Sequence, residues 1–197
     1  MWKIFDKTDT ADIREMDRFV YSHENSHFMQ TSAWAQVKTF WDWRGITVKQ
    51  RDRITATMLV LIRPLPLGFS LLYAPRGPIC DRNSHEIWDE LMEALKRLAR
   101  QEHALLIHMD PDEPDSNETF RSMMLQLGFI EKADDGFQLR IHFVSGLDGV
   151  IDFTHDISSL FKNLLGVLRY RIPCSSVPSV SALPAQVQEQ YLSGRRA

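Results

Sequence analysis

The chain has 197 residues, with 23 Lys and Arg against 26 Asp and Glu; the formal net charge of −3 excludes a global positive field for nucleic acid. Hydrophobic residues make up 44% and charged residues 25%, which suits a globular domain with a real core and excludes a wholly disordered chain. Two cysteines, Cys80 and Cys174, are too few for a disulfide framework and fit a reducing cytosol.

Ile13, Met16 and Val20 share one helical face, with Thr10 expected as the N-cap. A second helix is expected to open at Thr31 or Ser32, because Trp34, Val37 and Trp41 recur at three and four residues; Gly45 is expected to end it. Strands are expected at Ile46–Lys49 and Ile54–Ile62, then a Pro64/Pro66/Gly68 turn into a strand over Phe69–Tyr73. Ser84–His103 carries the strongest helical pattern, with Ile87, Leu91, Leu95 and Leu98 on one face. An apolar strand over Ala104–Met109 closes at Asp110-Pro111. Phe120, Met123, Met124 and Leu127 mark a helix between an Asn117 cap and Gly128. Phe129–Glu131 and Leu139–Val144 are the last expected strands. Alternation of strands and helices after residue 45 argues for a mixed α/β sheet with helices on its faces.

From Pro173 onward the chain is rich in Pro and Ser and lacks sustained apolar periodicity, so residues 173–197 are expected to form a disordered tail. No apolar run approaches the roughly 20 residues that span a bilayer. The N-terminal Met1-Trp-Lys-Ile-Phe-Asp6 lacks the blocks of a secretion signal. A cytoplasmic location is expected, with peripheral contact at the inner membrane face left open.

The segment Tyr73-Ala-Pro-Arg-Gly-Pro-Ile-Cys-Asp81 concentrates the chemistry. Pro75 and Pro78 stiffen a turn in which Gly77 permits positive φ or close approach of a ligand. Arg76 can clamp a phosphate or carboxylate in bidentate fashion. On physics alone, a rigid connection in which Arg76 and Asp81 pair with each other is the better reading.

This segment resembles the Tyr-x-Pro-Arg-Gly-Pro-x-x-Asp motif of the Fem-type (FemABX) aminoacyltransferases. Gln30-Thr-Ser-Ala-Trp34-Ala-Gln-Val-Lys38 resembles the family's Gln-Ser-x-Trp-x-x-x-Lys helix start. Leu106-Ile-His-Met-Asp110-Pro111, followed by Leu127-Gly128-Phe129, resembles its Asp-Pro strand end and Leu-Gly-Phe helix exit. The similarity runs over residues 1 to 171. It implies an acyl-CoA N-acyltransferase (GNAT)-like first domain over residues 1–144. It also implies transfer of an amino acid from aminoacyl-tRNA to the stem peptide of a peptidoglycan precursor, either UDP-linked or lipid-linked. By the same resemblance, Lys38 contacts the acceptor diphosphate, and Tyr73, Arg76 and Asp81 belong to the acceptor site. Asp81 is the candidate for holding or deprotonating the attacking ammonium. A carboxylate pKa near ~4 is far from an amine near ~10, so positioning matters more than proton removal.

Gly136-Phe-Gln-Leu-Arg140, Asp152-Phe-Thr154 and Leu160-Phe-Lys-Asn163 resemble the family's passage into a second domain. Arg169-Tyr170-Arg171 resembles a run that supplies a phosphate-binding arginine, which makes Arg169 a candidate. The match ends at Pro173. Residues 145–172 are therefore expected to begin a second GNAT-like domain that a truncation or frameshift cuts short. A non-catalytic fragment that binds muropeptide or a protein partner is the alternative.

His23-Glu-Asn-Ser-His27 matches the His-Glu-x-x-His pattern that binds zinc when it lies on a helix. The helical pattern fades at Tyr21, and Asn25-Ser26 are poor helix-interior residues. Exposed loop histidines are the better reading, and a zinc metallopeptidase is a distant alternative. No Arg/Gln-x-x-Gly-x-Gly/Ala loop is present to hold a pyrophosphate, so no coenzyme A or other cofactor is expected. Trp34, Trp41 and Trp88 fall on helix faces and read as core packing, with the eight methionines as core filler.

Overall fold

The computed structural model describes residues 1–114, 116–132 and 136–140. The chain opens with strand β1 (Trp2–Phe5), helix α1 (Thr10–Ser22), a 3₁₀ turn (Phe28–Gln30) and the short helix α2 (Ser32–Val37). A long hairpin follows, β2 (Asp42–Gln50) and β3 (Arg53–Pro64), then β4 (Ser70–Pro75) and the two-residue β5 (Ile79–Cys80). Helix α3 (His85–Gln101), strand β6 (Ala104–Asp110), helix α4 (Glu118–Gln126) and strands β7 (Ile130–Lys132) and β8 (Gly136–Arg140) complete the order.

These strands form one sheet in the order β1-β2-β3-β4-β6-β8-β7, with β5 joining β3 beside that path. The β4–β6 pairing is parallel and the other pairings are antiparallel, so the sheet is mixed. Parallel neighbours require a crossover, and α3 supplies it. Alternation along β3 divides the core. Ala56, Met58, Val60 and Ile62 face α3 and α4, whereas Leu59 and Leu61 face α1 and α2. Helices therefore cover both faces, as the sequence implies.

Helix α3 anchors one layer. Ser84 caps it, its Oγ accepting from the Ile87 amide at 3.5 Å, and Ile87, Trp88, Leu91, Leu95 and Leu98 are buried against the sheet. Truncating such a leucine to alanine costs about 2–5 kcal/mol, well above the ~1 kcal/mol of a cap, so packing dominates its stability. On the opposite face α1 buries Met16 and Val20, and Asp17 receives the Ser32 amide at 2.8 Å and the Ser32 hydroxyl at 2.5 Å. That pair ties α1 to the start of α2.

Several expectations change. Asp9, not Thr10, occupies the α1 N-cap position. Helix α2 opens at Ser32 with Thr31 as cap but stops at Val37, and Gly45 lies within β2. Gly45 faces Phe5 across the β1–β2 ladder, where a Cβ would collide with the phenyl ring. The glycine serves close strand packing and no helix end. Strands β1 and β5 escape the sequence reading because each is too short to show alternation. The 144/145 boundary, the expected domain start at 145–172, the tail at 173–197 and Arg169 lie outside the described residues.

Candidate functional site

The parallel strands β4 and β6 end side by side, with Tyr73 opposite His108 and Pro75 opposite Asp110. The carboxyl ends of such strands are where open α/β sheets place ligands. Asp110 organises this end. Its Oδ2 accepts the Tyr73 hydroxyl at 3.0 Å, and its Oδ1 accepts the Arg76 backbone N–H at 2.9 Å. Both carboxylate oxygens are thus committed to the segment singled out in the sequence. Each keeps acceptor capacity for a ligand.

Arg76 holds a left-handed backbone, φ 54°, unusual for a residue with a side chain. The Asp110 bond to its amide helps fix that conformation. Its guanidinium reaches Asp110 at 4.0 Å and Asp112 at 3.5 Å. The pairing with Asp81 expected from physics alone does not form. Asp81 lies beyond β5, exposed, with its Oδ1 accepting the Asn83 amide at 3.0 Å. Positive φ falls on Arg76 and not on Gly77.

Gly77 owes its identity to Gln30. A Cβ there would stand 2.5 Å from the Gln30 amide carbon. Gln30 is fully buried and donates through Nε2 to the Pro75 carbonyl at 2.6 Å and the Leu59 carbonyl at 3.3 Å. Its Oε1 accepts the Leu59 amide at 2.8 Å. The peptide bond between Gly77 and Pro78 is cis.

Aromatic groups wall the site. The Tyr73 ring lies 6.3 Å from Trp41 and 5.2 Å from His108, and Arg63 lies 5.8 Å from the Trp41 ring. Lys38 ends α2 with its ammonium 4.7 Å from the Trp34 ring centre. Trp34 meets Phe28 edge-on at 5.3 Å, and Phe28 stacks on His27 at 4.9 Å. A file of rings therefore runs from Lys38 to His27. Trp41 packs half-buried against the core cluster of Leu59 and Leu61, as its core reading expects, but lies beyond the end of α2 and not on a helix face; Trp34 is on α2 and half-buried. Trp88 is buried as expected.

His23 and His27 are not on a helix. His23 follows the last turn of α1 in extended conformation, and His27 precedes the 3₁₀ turn in the same region. Each Nδ1 accepts a backbone N–H two residues ahead, Asn25 at 3.1 Å and Met29 at 3.2 Å. Both are half-buried rather than exposed, and burial holds both imidazoles below the usual histidine range. For His27, the Asp112 and Asp110 carboxylates oppose that effect and Arg76 adds to it. No three-residue metal cluster occurs among the described residues. Burial pushes the Cys80 thiol up to about 12, which leaves it inert as a nucleophile. Arg82 donates to the Asp112 carbonyl at 2.7 Å and pairs with Glu113, fastening the loop after β6.

The structure joins Tyr73 and Arg76 through Asp110, while Lys38 sits on Trp34 and Asp81 stands apart. Asp110 and Gln30 both lie within the sequence motifs, but the motifs carry no sign of the contacts the two residues make. Alternation along β6 carries a signal for Asp110, since Leu106, His108 and Asp110 share one face. No helix among the described residues is long and apolar enough to cross a membrane.

Comparison with known proteins points the same way. The FemAB family model matches residues 11–126, which contain Gln30, Lys38, Tyr73, Arg76, Asp81 and Asp110. A lipid II:glycine glycyltransferase from Staphylococcus epidermidis is 30% identical over 71% of this chain and 36% of its own length. One from Staphylococcus saprophyticus subsp. saprophyticus is 33% identical over 59% of this chain and 29% of its own. The chain thus spans about a third of the length of the curated relatives it matches. The crystal structure of FemX matches at a TM-score of 0.57 with 31% identity, covering 60% of this chain and 31% of that one. With the motifs, the sheet and more than half of the sequence in agreement, the chain belongs to the FemAB family.

Proposed function

We propose that the chain carries the acceptor-binding part of an aminoacyltransferase that extends the stem peptide of a peptidoglycan precursor, with aminoacyl-tRNA as donor. The observation that carries this reading is Asp110 holding Tyr73 and Arg76 at the paired ends of β4 and β6, within the segment that matches the family. The names of the relatives favour a lipid-linked acceptor.

The chemistry is aminolysis of an ester. The acceptor amine attacks the aminoacyl carbonyl, a tetrahedral intermediate forms, and the C–O bond to the tRNA ribose breaks as the ribose hydroxyl takes a proton. A carboxylate near ~4 is a weak base toward an amine near ~10, so the carboxylates here hold and orient the acceptor. In this reading Arg76 takes an anionic group of the acceptor, and Tyr73 offers its aromatic face. Lys38 contacts the diphosphate, Arg169 is a candidate phosphate-binding arginine by the family resemblance alone, and Asp81 supplies a carboxylate for the acceptor ammonium.

The test incubates the purified chain with charged tRNA and a muropeptide acceptor. Extension of the acceptor supports transfer by this chain. Saturable acceptor binding without extension supports a binding fragment. Neither binding nor extension sinks both.

A further inference from the structure

The turn between β3 and β4 carries apolar side chains that the fold does not use. Leu67 is 92% exposed and Phe69 37%, and Pro64 and Pro66 beside them are also exposed. Leu67 holds a left-handed backbone, φ 64°, a conformation that suits glycine. An exposed leucine in that conformation costs the fold twice and gains it no packing. The turn is nonetheless well formed, with the Leu65 amide donating to the Phe69 carbonyl at 2.8 Å. Ser70 fastens its base to the end of α3, donating from its amide to the His103 carbonyl at 3.1 Å and from its hydroxyl to the Glu102 carbonyl at 2.7 Å.

Other features gather at this end of the sheet. Asp42 pairs with Ile62, so the chain just before β2 runs alongside the end of β3, and there Phe40 is 79% exposed. The charges left over around the turn are positive. Arg44 bridges Glu102 and Asp42, each at 2.9 Å, and Lys7 reaches Asp42 at 3.4 Å, so these two cations balance the two carboxylates. Arg63 rests on the Trp41 ring, and Arg97 and Arg100 are exposed on the last turns of α3; among the described residues none of the three is paired with a carboxylate. Apolar protrusions ringed by arginines complement a bilayer with anionic headgroups, where the two contributions act together.

We propose that the Pro64–Phe69 turn, with Phe40, is a membrane-contact surface that seats the domain on an anionic bilayer. Phe69 immediately precedes β4, the strand that carries Tyr73 four residues or about 13 Å further on. A precursor anchored in that bilayer would present its headgroup and peptide to the Tyr73–Asp110 site without leaving the surface. This last point rests on the acceptor reading above; the membrane contact itself does not.

The experiment sediments the full chain with phosphatidylcholine vesicles, with and without phosphatidylglycerol. Binding is expected to the anionic vesicles, weakened by salt, and roughly tenfold weaker for Leu67→Ser/Phe69→Ser. Leu67→Gly separates folding from binding, since it relieves the backbone: thermal stability is expected to rise while vesicle binding falls. Absence of vesicle binding by the unmodified chain, or equal binding by all variants, overturns the proposal. So does self-association in solution that Leu67→Ser/Phe69→Ser abolishes, because the turn would then meet a second copy. Binding of a soluble stem peptide, measured in parallel, is expected to be unchanged in these variants. If soluble-peptide binding is absent throughout and vesicle binding depends on the turn, the acceptor reading fails alone. If vesicle binding ignores the turn and the peptide still binds, the membrane surface fails alone.

Discussion

Gln30 completes strand β3 at Leu59. The ladder to β4 ends at Leu61 paired with Tyr73, and the ladder to β5 begins at Thr57 paired with Ile79. Leu59 lies in the gap, and the Gln30 amide takes both its N–H and its carbonyl while also holding Pro75. One side chain thus stands in for a missing strand residue and fixes where β4 leaves the sheet toward Arg76. Removing it leaves buried main-chain groups of Leu59 and Pro75 without partners. Gln30→Ala is expected to destabilise the chain by about 3 kcal/mol in urea denaturation, more than a typical exposed hydrogen bond near ~1 kcal/mol. A loss under about 0.5 kcal/mol would show that water replaces the amide at no cost.

Gly77 is coupled to the same side chain. Gly77→Ala drives a methyl group into the Gln30 amide, at 2.5 Å from its carbon, and is expected to cost about 1–3 kcal/mol as overpacking. In the Gln30→Ala background that collision is gone, so the two losses should add to less than their sum. Strict additivity within about 0.5 kcal/mol would mean that Gly77 is needed for some other reason.

The long elements were legible because their residues obey one period over many positions. Helix α3 repeats apolar residues at three and four, and β3 has the continuous apolar run of a strand covered on both faces. Motif order named Tyr73, Arg76 and Lys38 as candidates. What could not be read is which partner each polar group takes. Arg76 chose Asp110 and Asp112 over the nearer-in-sequence Asp81 because β4 and β6 are parallel neighbours, a fact of topology. Likewise, the motif that begins at Gln30 carries no sign of the buried amide that the gap between β4 and β5 requires there. Gly45 reads as a helix stop because its clash partner, Phe5, is 40 residues away in sequence.

The Tyr73–Asp110 bond should carry function as well as fold. Tyr73→Phe removes the hydroxyl from Asp110 Oδ2, and Asp110→Asn replaces a charged acceptor by an amide. Hydrogen bonds to charged groups contribute about 1.5–3 kcal/mol, so each variant is expected to weaken soluble muropeptide binding by roughly tenfold or more. If both act by orienting one site, the double variant loses little beyond the worse single one. Losses that simply multiply would assign Tyr73 and Asp110 to independent contacts.

His27 gives the fold a dependence on pH. Burial lowers its pKa below the ordinary 6.5, and its Nδ1 can accept the Met29 amide only while that nitrogen is unprotonated. Because the folded pKa lies below the unfolded one, this stabilisation is fully present above 6.5 and is lost as pH falls through the folded value. His23 is shifted the same way by its own burial. The urea midpoint is therefore expected to fall between about pH 7 and pH 5, before carboxylate protonation dominates. His27→Asn keeps a side-chain acceptor for the amide two residues ahead and removes the titration. That variant should flatten the pH dependence in this window, with the remainder removed by His23→Asn. An unchanged slope in the double variant would place the titrating groups elsewhere.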